Sequence, residues 1–161
     1  MTLIIALVFL VACSAFFSAS ETAFSSLNQI RLKSRAEDGD ASAARVLAMA
    51  EKYDKLLSTI LIGNNIVNIA AASIGTILFT RALGAERGAT MSTIVLTIVV
   101  LIFGEVTPKS LAKEMPETVA TAVSPMLNLL MGLFTPLTWL FSQWKRLLGH
   151  FVHSTEEDTI T

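Results

Sequence analysis

Cysteine occurs once in this chain of 161 residues, at Cys13. A disulfide framework within the chain and a thiolate metal site are therefore both excluded. Charge is scarce: Asp, Glu, Lys and Arg make up 16% of residues, with a formal net charge of -1, which argues against a nucleic-acid partner. Low-complexity tracts and short-period repeats are absent. No basic residue precedes Arg31. The apolar N-terminus MTLIIALVFLVACSAFF thus lacks the basic n-region of a signal peptide, although Leu10-Val11-Ala12-Cys13 resembles a lipoprotein cleavage site, and it reads as a retained span.

What is abundant is apolar sequence. Hydrophobic residues make up 53% and the mean hydropathy is +0.63, in blocks that predict an all-α integral membrane protein. Three segments, 3–24, 56–79 and 91–110, reach the ~20 residues that cross ~30 Å of hydrocarbon as a helix. A fourth block, 122–141, holds Pro125, Gly132 and Pro136, with Trp139 and Trp144 near its end. That pattern suits a bent juxtamembrane helix, about 118–150, lying at the interface better than a span.

Loop charge predicts orientation. Residues 28–55 carry Arg31, Lys33, Arg35, Arg45, Lys52 and Lys55, whereas the loop after the second span has only Arg81 and Arg87. Lys109, Lys113, Lys145 and Arg146 follow the third span. Positive charge marks the cytoplasmic side, so the expectation is a multi-pass plasma-membrane protein with its N-terminus outside and its C-terminus cytoplasmic. The 28–55 loop reads as two amphipathic helices, IRLKSRAEDGD and ASAARVLAMAEKYDKLLS, punctuated by Gly39. Residues 1–151 form the transmembrane domain, and 152–161, ending STEEDTIT, read as the start of a linker.

Polar residues within the spans are few and patterned. Ser14, Ser18 and Glu21 fall at i, i+4 and i+7, on one face of a helix. Asn64 and Asn68 stack at i, i+4 beside Gly63 in the second span, and Gly104, Glu105, Thr107 and Pro108 close the third. At ~1.5 Å per residue, Ser18, Glu105, Asn64 and Asn68 lie ~7, ~9, ~12 and ~18 Å from the cytoplasmic side. The three antiparallel spans therefore carry their polar groups in one layer.

Pro108 has no N–H, so in an α-helical register it frees the carbonyl of Gly104, beside Glu105. In lipid that oxygen needs another partner. Serine hydroxyls, asparagine carbonyls, a backbone carbonyl and one carboxylate form an all-oxygen set suited to hard cations, Mg²⁺, Ca²⁺ or Na⁺, rather than zinc or copper. Taken singly, Ser14, Ser18 and Ser73 read as helix-contact residues, and Asn64 or Asn68 as interhelical hydrogen-bonders. Glu21 reads equally as a headgroup-level charge or an outer ligand, and Lys109 as a snorkelling lysine rather than a partner of Glu105. Glu105 differs, because an intramembrane carboxylate is functional by default. Catalysis is not expected: His150 and His153 lie outside the spans, and no second acid is fixed within one.

The ordered segments CSAFFSASETAFSS, LLSTILIGNNIVNIAAAS and IFGEVTPKSLA resemble the transmembrane domain of the CNNM/CorC family of magnesium transporters, over about residues 3–151. The resemblance implies a homodimer with three spans per subunit, a belt-like juxtamembrane helix matching 122–150, and a largely dehydrated Mg²⁺ in each subunit. Carried over by motif, the ligands are Ser14, Ser18, Asn64 and/or Asn68, and Glu105. Backbone at Gly63 or Gly104 is a possible addition, with Glu21 and Pro108 in supporting positions. The implied function is Mg²⁺ export by alternating access with Na⁺ as counter-ion; the alternative is a Mg²⁺-sensing scaffold that moves nothing. Family members usually continue into paired cytosolic CBS domains that bind ATP. This chain stops at Thr161, so nucleotide regulation is not expected of it as given.

Overall fold

The computed structural model describes residues 1–152 in full and carries the helical backbone on to Ile160. It is 93% helix, without strands among the described residues. Three helical runs are long and apolar enough to cross a membrane: Thr2–Ser25 (α1), Tyr53–Leu83 (α4) and Ala85–Glu114. Each contains one expected span and overruns it at both ends. The third is composite: α5 (Ala85–Val99), a π-helical segment (Val100–Val106) and α6 (Thr107–Glu114).

A single residue joins α4 to α5. Gly84 takes φ +91°, a conformation that side chains with a Cβ resist. Its N–H donates to Thr80 O at 2.9 Å, and its own carbonyl accepts from Gly88 N–H at 2.8 Å. Gly88 lies so close to α4 that a Cβ there would stand 2.6 Å from Thr80 Cα. The hairpin therefore depends on small residues, as tight helix contacts in lipid generally do.

Between the first two spans lie α2 (Gln29–Glu37) and α3 (Ala41–Glu51). Asn28 caps α2 by accepting from Arg31 N–H at 3.1 Å. Asp40 caps α3, accepting from Ser42 and Ala43 N–H at 3.0 and 3.2 Å, and Gly39 turns the chain at φ +95°. The second loop helix is shorter than expected. It ends at Glu51, Lys52 departs from helical geometry (φ −101°, ψ 42°), and Tyr53 starts α4. Leu56 explains the boundary: it is wholly buried and belongs to the spanning helix. Arg35 bridges Asp40 at 2.7 Å and Glu117 at 3.3 Å, tying this corner to the chain after α6.

The block expected as one juxtamembrane helix is two, α7 (Pro116–Leu133) and α8 (Thr135–Ile160), bent by 70°. Pro125 sits inside α7 without ending it, and the turn falls at Phe134 (φ −90°, ψ 8°). Pro136, two residues on, has no N–H for the Gly132 carbonyl and so cannot continue α7; it occupies the first turn of α8, where the missing donor removes no helical bond. By length and composition the pair also passes as one broken span or re-entrant loop. The linker expected at 152–161 lies outside the fully described residues, Val152 apart.

The packed core gathers at the end of the bundle where α2, α3 and α7 meet the spans, around Phe17, Phe24, Leu32, Val46, Leu56 and Leu127. Elsewhere the spans turn Ile5, Phe9, Ile69, Ile98 and Phe103 outward, as a lipid-facing surface would. Leu32 is 0% exposed. Leu32→Ala is expected to cost about 2–4 kcal/mol, read as a lowered unfolding midpoint in detergent. The caps and Arg35 hold the Asp40 carboxyl below its usual value; the hydrogen bond from Ala43 N–H is the largest cause, then the Arg35 side chain. A lowered folded pKa stabilises above the unfolded value and is lost as pH falls through the folded one. Exchange of the Ser42 and Ala43 amides should therefore accelerate only below the ordinary aspartate range, near pH ~4, and Asp40→Ala should abolish that pH step.

Candidate cation site among the spans

The polar layer expected from the sequence assembles around Ser14. This residue is 1% exposed, in the middle of α1 where that helix packs against α4. Its hydroxyl donates to Asn68 Oδ1 at 3.0 Å and lies 3.5 Å from Asn64 Oδ1. A hydroxyl has one proton, so the shorter contact is the effective bond and Asn64 is the looser neighbour. The i, i+4 spacing on α4 puts both amides on the same helix face, within reach of one serine.

The third span comes to the same serine through Gly104. A Cβ at residue 104 would stand 3.1 Å from Ser14 Oγ, so the missing side chain is what admits the contact. Gly104 is buried and Glu105, next in the chain, is half-buried. Ser18, one turn along α1, is 3% exposed. Ser14, Asn64, Asn68 and Gly104 are thus brought into mutual reach from three spans, and Ser18 and Glu105 flank them along the chain.

Other expected residues have different surroundings. Gly63 lies under the Phe17 ring, where a Cβ would meet Phe17 Cζ at 2.3 Å; it sets helix approach. Glu21 is half-buried on α1. The ion pairs among the described residues are all formed by Arg31, Arg35, Asp40 and Glu117. Lys109 is not among them, so it forms no ion pair with Glu105.

Around Gly104 the helix is wider than the sequence suggested. Thr107 N–H bonds the carbonyl of Ile102, five residues back, in a π-helical turn. Pro108 follows as the second residue of α6; it lacks the donor that a continued π register would give to Phe103 O and an α register to Gly104 O. Gly104 also turns its bare Cα face to Ser14. The signal available in the sequence was the Gly–Glu–x–x–Pro spacing within an apolar run, since π turns recur at functional sites. It marks a disturbance without fixing its register.

Among the described residues no three His, Cys, Asp or Glu converge. A cation held here would draw on neutral oxygens and at most one or two carboxylates. The Ser14–Asn68 separation of 3.0 Å is that of an O–H···O hydrogen bond, so it is set by the bond between the two side chains and not by the size of an ion.

Residues 5–161 match the family described as the cyclin M transmembrane N-terminal domain. The chain is 47% identical to the UPF0053 inner membrane protein YfjD of Escherichia coli K12, over 84% of its own length and 31% of that protein's. It is 40% identical to a UPF0053 protein of Haemophilus influenzae, over 94% of its own length and 36% of the relative's. It is also 32% identical to the polyamine export protein of Escherichia coli K12, over 86% and 34% respectively. The chain thus spans about a third of the length of the curated relatives it matches.

If the Ser14–Asn68 bond holds α1 to α4, a double-mutant cycle of Ser14→Ala with Asn68→Leu should give a coupling of about 0.6–1.5 kcal/mol in detergent unfolding. The cycle with Asn64→Leu should give less. Equal couplings would contradict the asymmetry of the two distances.

Proposed function

The chain belongs to the cyclin M transmembrane N-terminal domain family, and from that premise we propose that it is a plasma-membrane Mg²⁺ transporter, exporting the ion by alternating access with Na⁺ as counter-ion. The family and the relatives named as exporters support the coarser part of this reading, a non-enzymatic multi-pass membrane protein of transport or export. The observation that carries the finer part is the oxygen group around Ser14, held by α1 and α4 with Gly104 of the third span against it.

In this reading Ser14, Asn68 and Asn64 supply neutral oxygens to the ion's shell. Ser18 adds a hydroxyl from α1. Glu105 neutralises half of the ion's charge. Because Ser14 gives its proton to an amide, its lone pairs remain free for a cation. Mg²⁺ sheds water reluctantly, so a site built from separate spans lets their relative movement expose the ion to one side and then the other.

The remaining assignments belong to the same proposal: a homodimer, α7 and α8 lying as a juxtamembrane belt, the N-terminus outside and the C-terminus cytoplasmic. The last rests on the excess of Lys and Arg between α1 and α4.

The relatives named for polyamine export favour a second reading, an organic polycation in place of a metal. Two half-buried carboxylates, Glu21 and Glu105, would then serve two ammonium groups. The arms separate experimentally. Mg²⁺ at about 100 times its Kd should stabilise the wild type by about 2.7 kcal/mol, and Glu105→Gln should lose that stabilisation while keeping its helix content. A folded Glu105→Gln protein still stabilised by Mg²⁺ refutes the site. Spermidine stabilising where Mg²⁺ does not selects the organic cation. Proteoliposomes that bind Mg²⁺ but pass none under imposed Mg²⁺ and Na⁺ gradients select the sensing scaffold.

A further inference from the structure

Away from the Ser14 cluster, a groove of ≈ 570 Å³ opens between the start of α4 and the first turns of α8. Lys55, Lys145 and Arg146 line it, opposed by Asp54. None of the three cations belongs to the ion pairs found among the described residues. The groove therefore presents an excess of two positive charges, with Lys55 half-buried at the foot of a spanning helix.

Its hydroxyls have a definite polarity. Thr135 donates to Met131 O at 2.8 Å, Thr138 to Thr135 O at 3.0 Å and Ser142 to Thr138 O at 3.0 Å. With their protons committed to the helix backbone, these three oxygens act on a ligand as acceptors. The ligand that fits brings an anion for the cations and its own O–H donors for the hydroxyls.

Location selects the source of that anion. Leu56 begins the apolar run of α4 immediately after Lys55, so the cations stand at headgroup level. On α8, Leu140, Phe141, Trp144 and Leu147 line an apolar groove of ≈ 620 Å³. Trp139 and Trp144 are 62% and 57% exposed, as interfacial anchors are. At about 100° per residue the two grooves fall on opposite faces of α8, so a headgroup in the basic groove is recognised by its charge and hydroxyls alone, at the level where a membrane presents its phosphates.

We propose that the basic groove is a binding site for an anionic phospholipid with a hydroxylated headgroup: Lys55, Lys145 and Arg146 hold the phosphate where the apolar run of α4 begins. Basic grooves beside spanning helices hold such headgroups by charge.

The test uses the whole chain purified in detergent, titrated by native mass spectrometry with phosphatidylglycerol and with phosphatidylcholine of the same acyl chains. Phosphatidylglycerol should be retained about 25-fold more tightly, at roughly fivefold for each of the two uncompensated positive charges, and Lys145→Gln/Arg146→Gln should remove that preference while leaving phosphatidylcholine nearly unchanged. Lys33→Gln, on α2, should change neither. In the wild type, raising salt from ~0.05 to ~0.5 M should erode the preference, because exposed charge is screened. Equal retention of the two lipids, an unaltered preference in the double variant or at high salt, or loss of preference in Lys33→Gln overturns the proposal. So does displacement of the lipid by inorganic phosphate at about equal concentration, which would make this a free-anion site.

Discussion

Phe17 rests its ring on the bare Cα of Gly63, and this contact fixes both how closely α1 and α4 approach and at what height. Phe16 packs edge-on against that ring, centroids 5.3 Å apart, so the ring has little room to swing. Once Phe17 is seated, Ser14 is carried to the level of Asn64 and Asn68. A slip of one residue would turn the serine about 100° away and leave two amides without a partner in an apolar surround, at a cost of several kcal/mol. The apolar contact and the hydrogen bond thus enforce the same register. Neither would specify it alone, since apolar helix surfaces slide past one another with little penalty in lipid.

The third span solves a different problem. It must bring backbone close to Ser14 while its remaining surface stays apolar, and Leu101, Ile102, Phe103 and Val106 do remain exposed. The π turn accommodates both demands by widening the helix over Val100–Val106, and Gly104 then offers a face without a side chain. Pro108 ends that register because it has no proton for the next bond. The acid and the proline that interrupt this span therefore act on one turn, the proline setting where the turn stops and the acid sitting within it.

Much of this was legible in the residues. Apolar runs located the three helices long and apolar enough to cross a membrane, since only a helix satisfies its own backbone in lipid, although each helix extends past the expected bounds at both ends. The i, i+4 spacings of Ser14/Ser18 and Asn64/Asn68 exposed the polar layer. What escaped was set by contacts between distant segments. The end of α3 at Glu51 follows from Leu56 being claimed by the spanning helix. The break at Phe134 lies between Gly132 and Pro136, and a proline at 136 rules out a helix continuing through it, but the size of the bend is set by what α7 and α8 pack against. The π register depends on which carbonyl Thr107 chooses, and the sequence allows either choice. The Arg35–Asp40–Glu117 linkage joins residues 82 positions apart, beyond any local pattern.

The two polar regions make opposite electrostatic demands. The Ser14 cluster is suited to a cation, yet Lys55 stands nine residues below Asn64 on the same helix, ~14 Å along its axis. Between them lies low-dielectric helix packing, so salt screens the repulsion less than it would in water. Lys145 and Arg146 add to the same field from α8. A cation reaching the cluster from that end meets a positive rim, and a protein with an excess of two positive charges there would weaken its own site. A phosphate seated on those cations removes part of the opposing potential without occupying the cluster. The basic groove and the oxygen cluster are thereby coupled through the field alone, with no mechanical link between α8 and Ser14 required. Loss of the lipid should act on cation affinity in the same direction as an added positive charge, and its influence should be greatest where the cation enters.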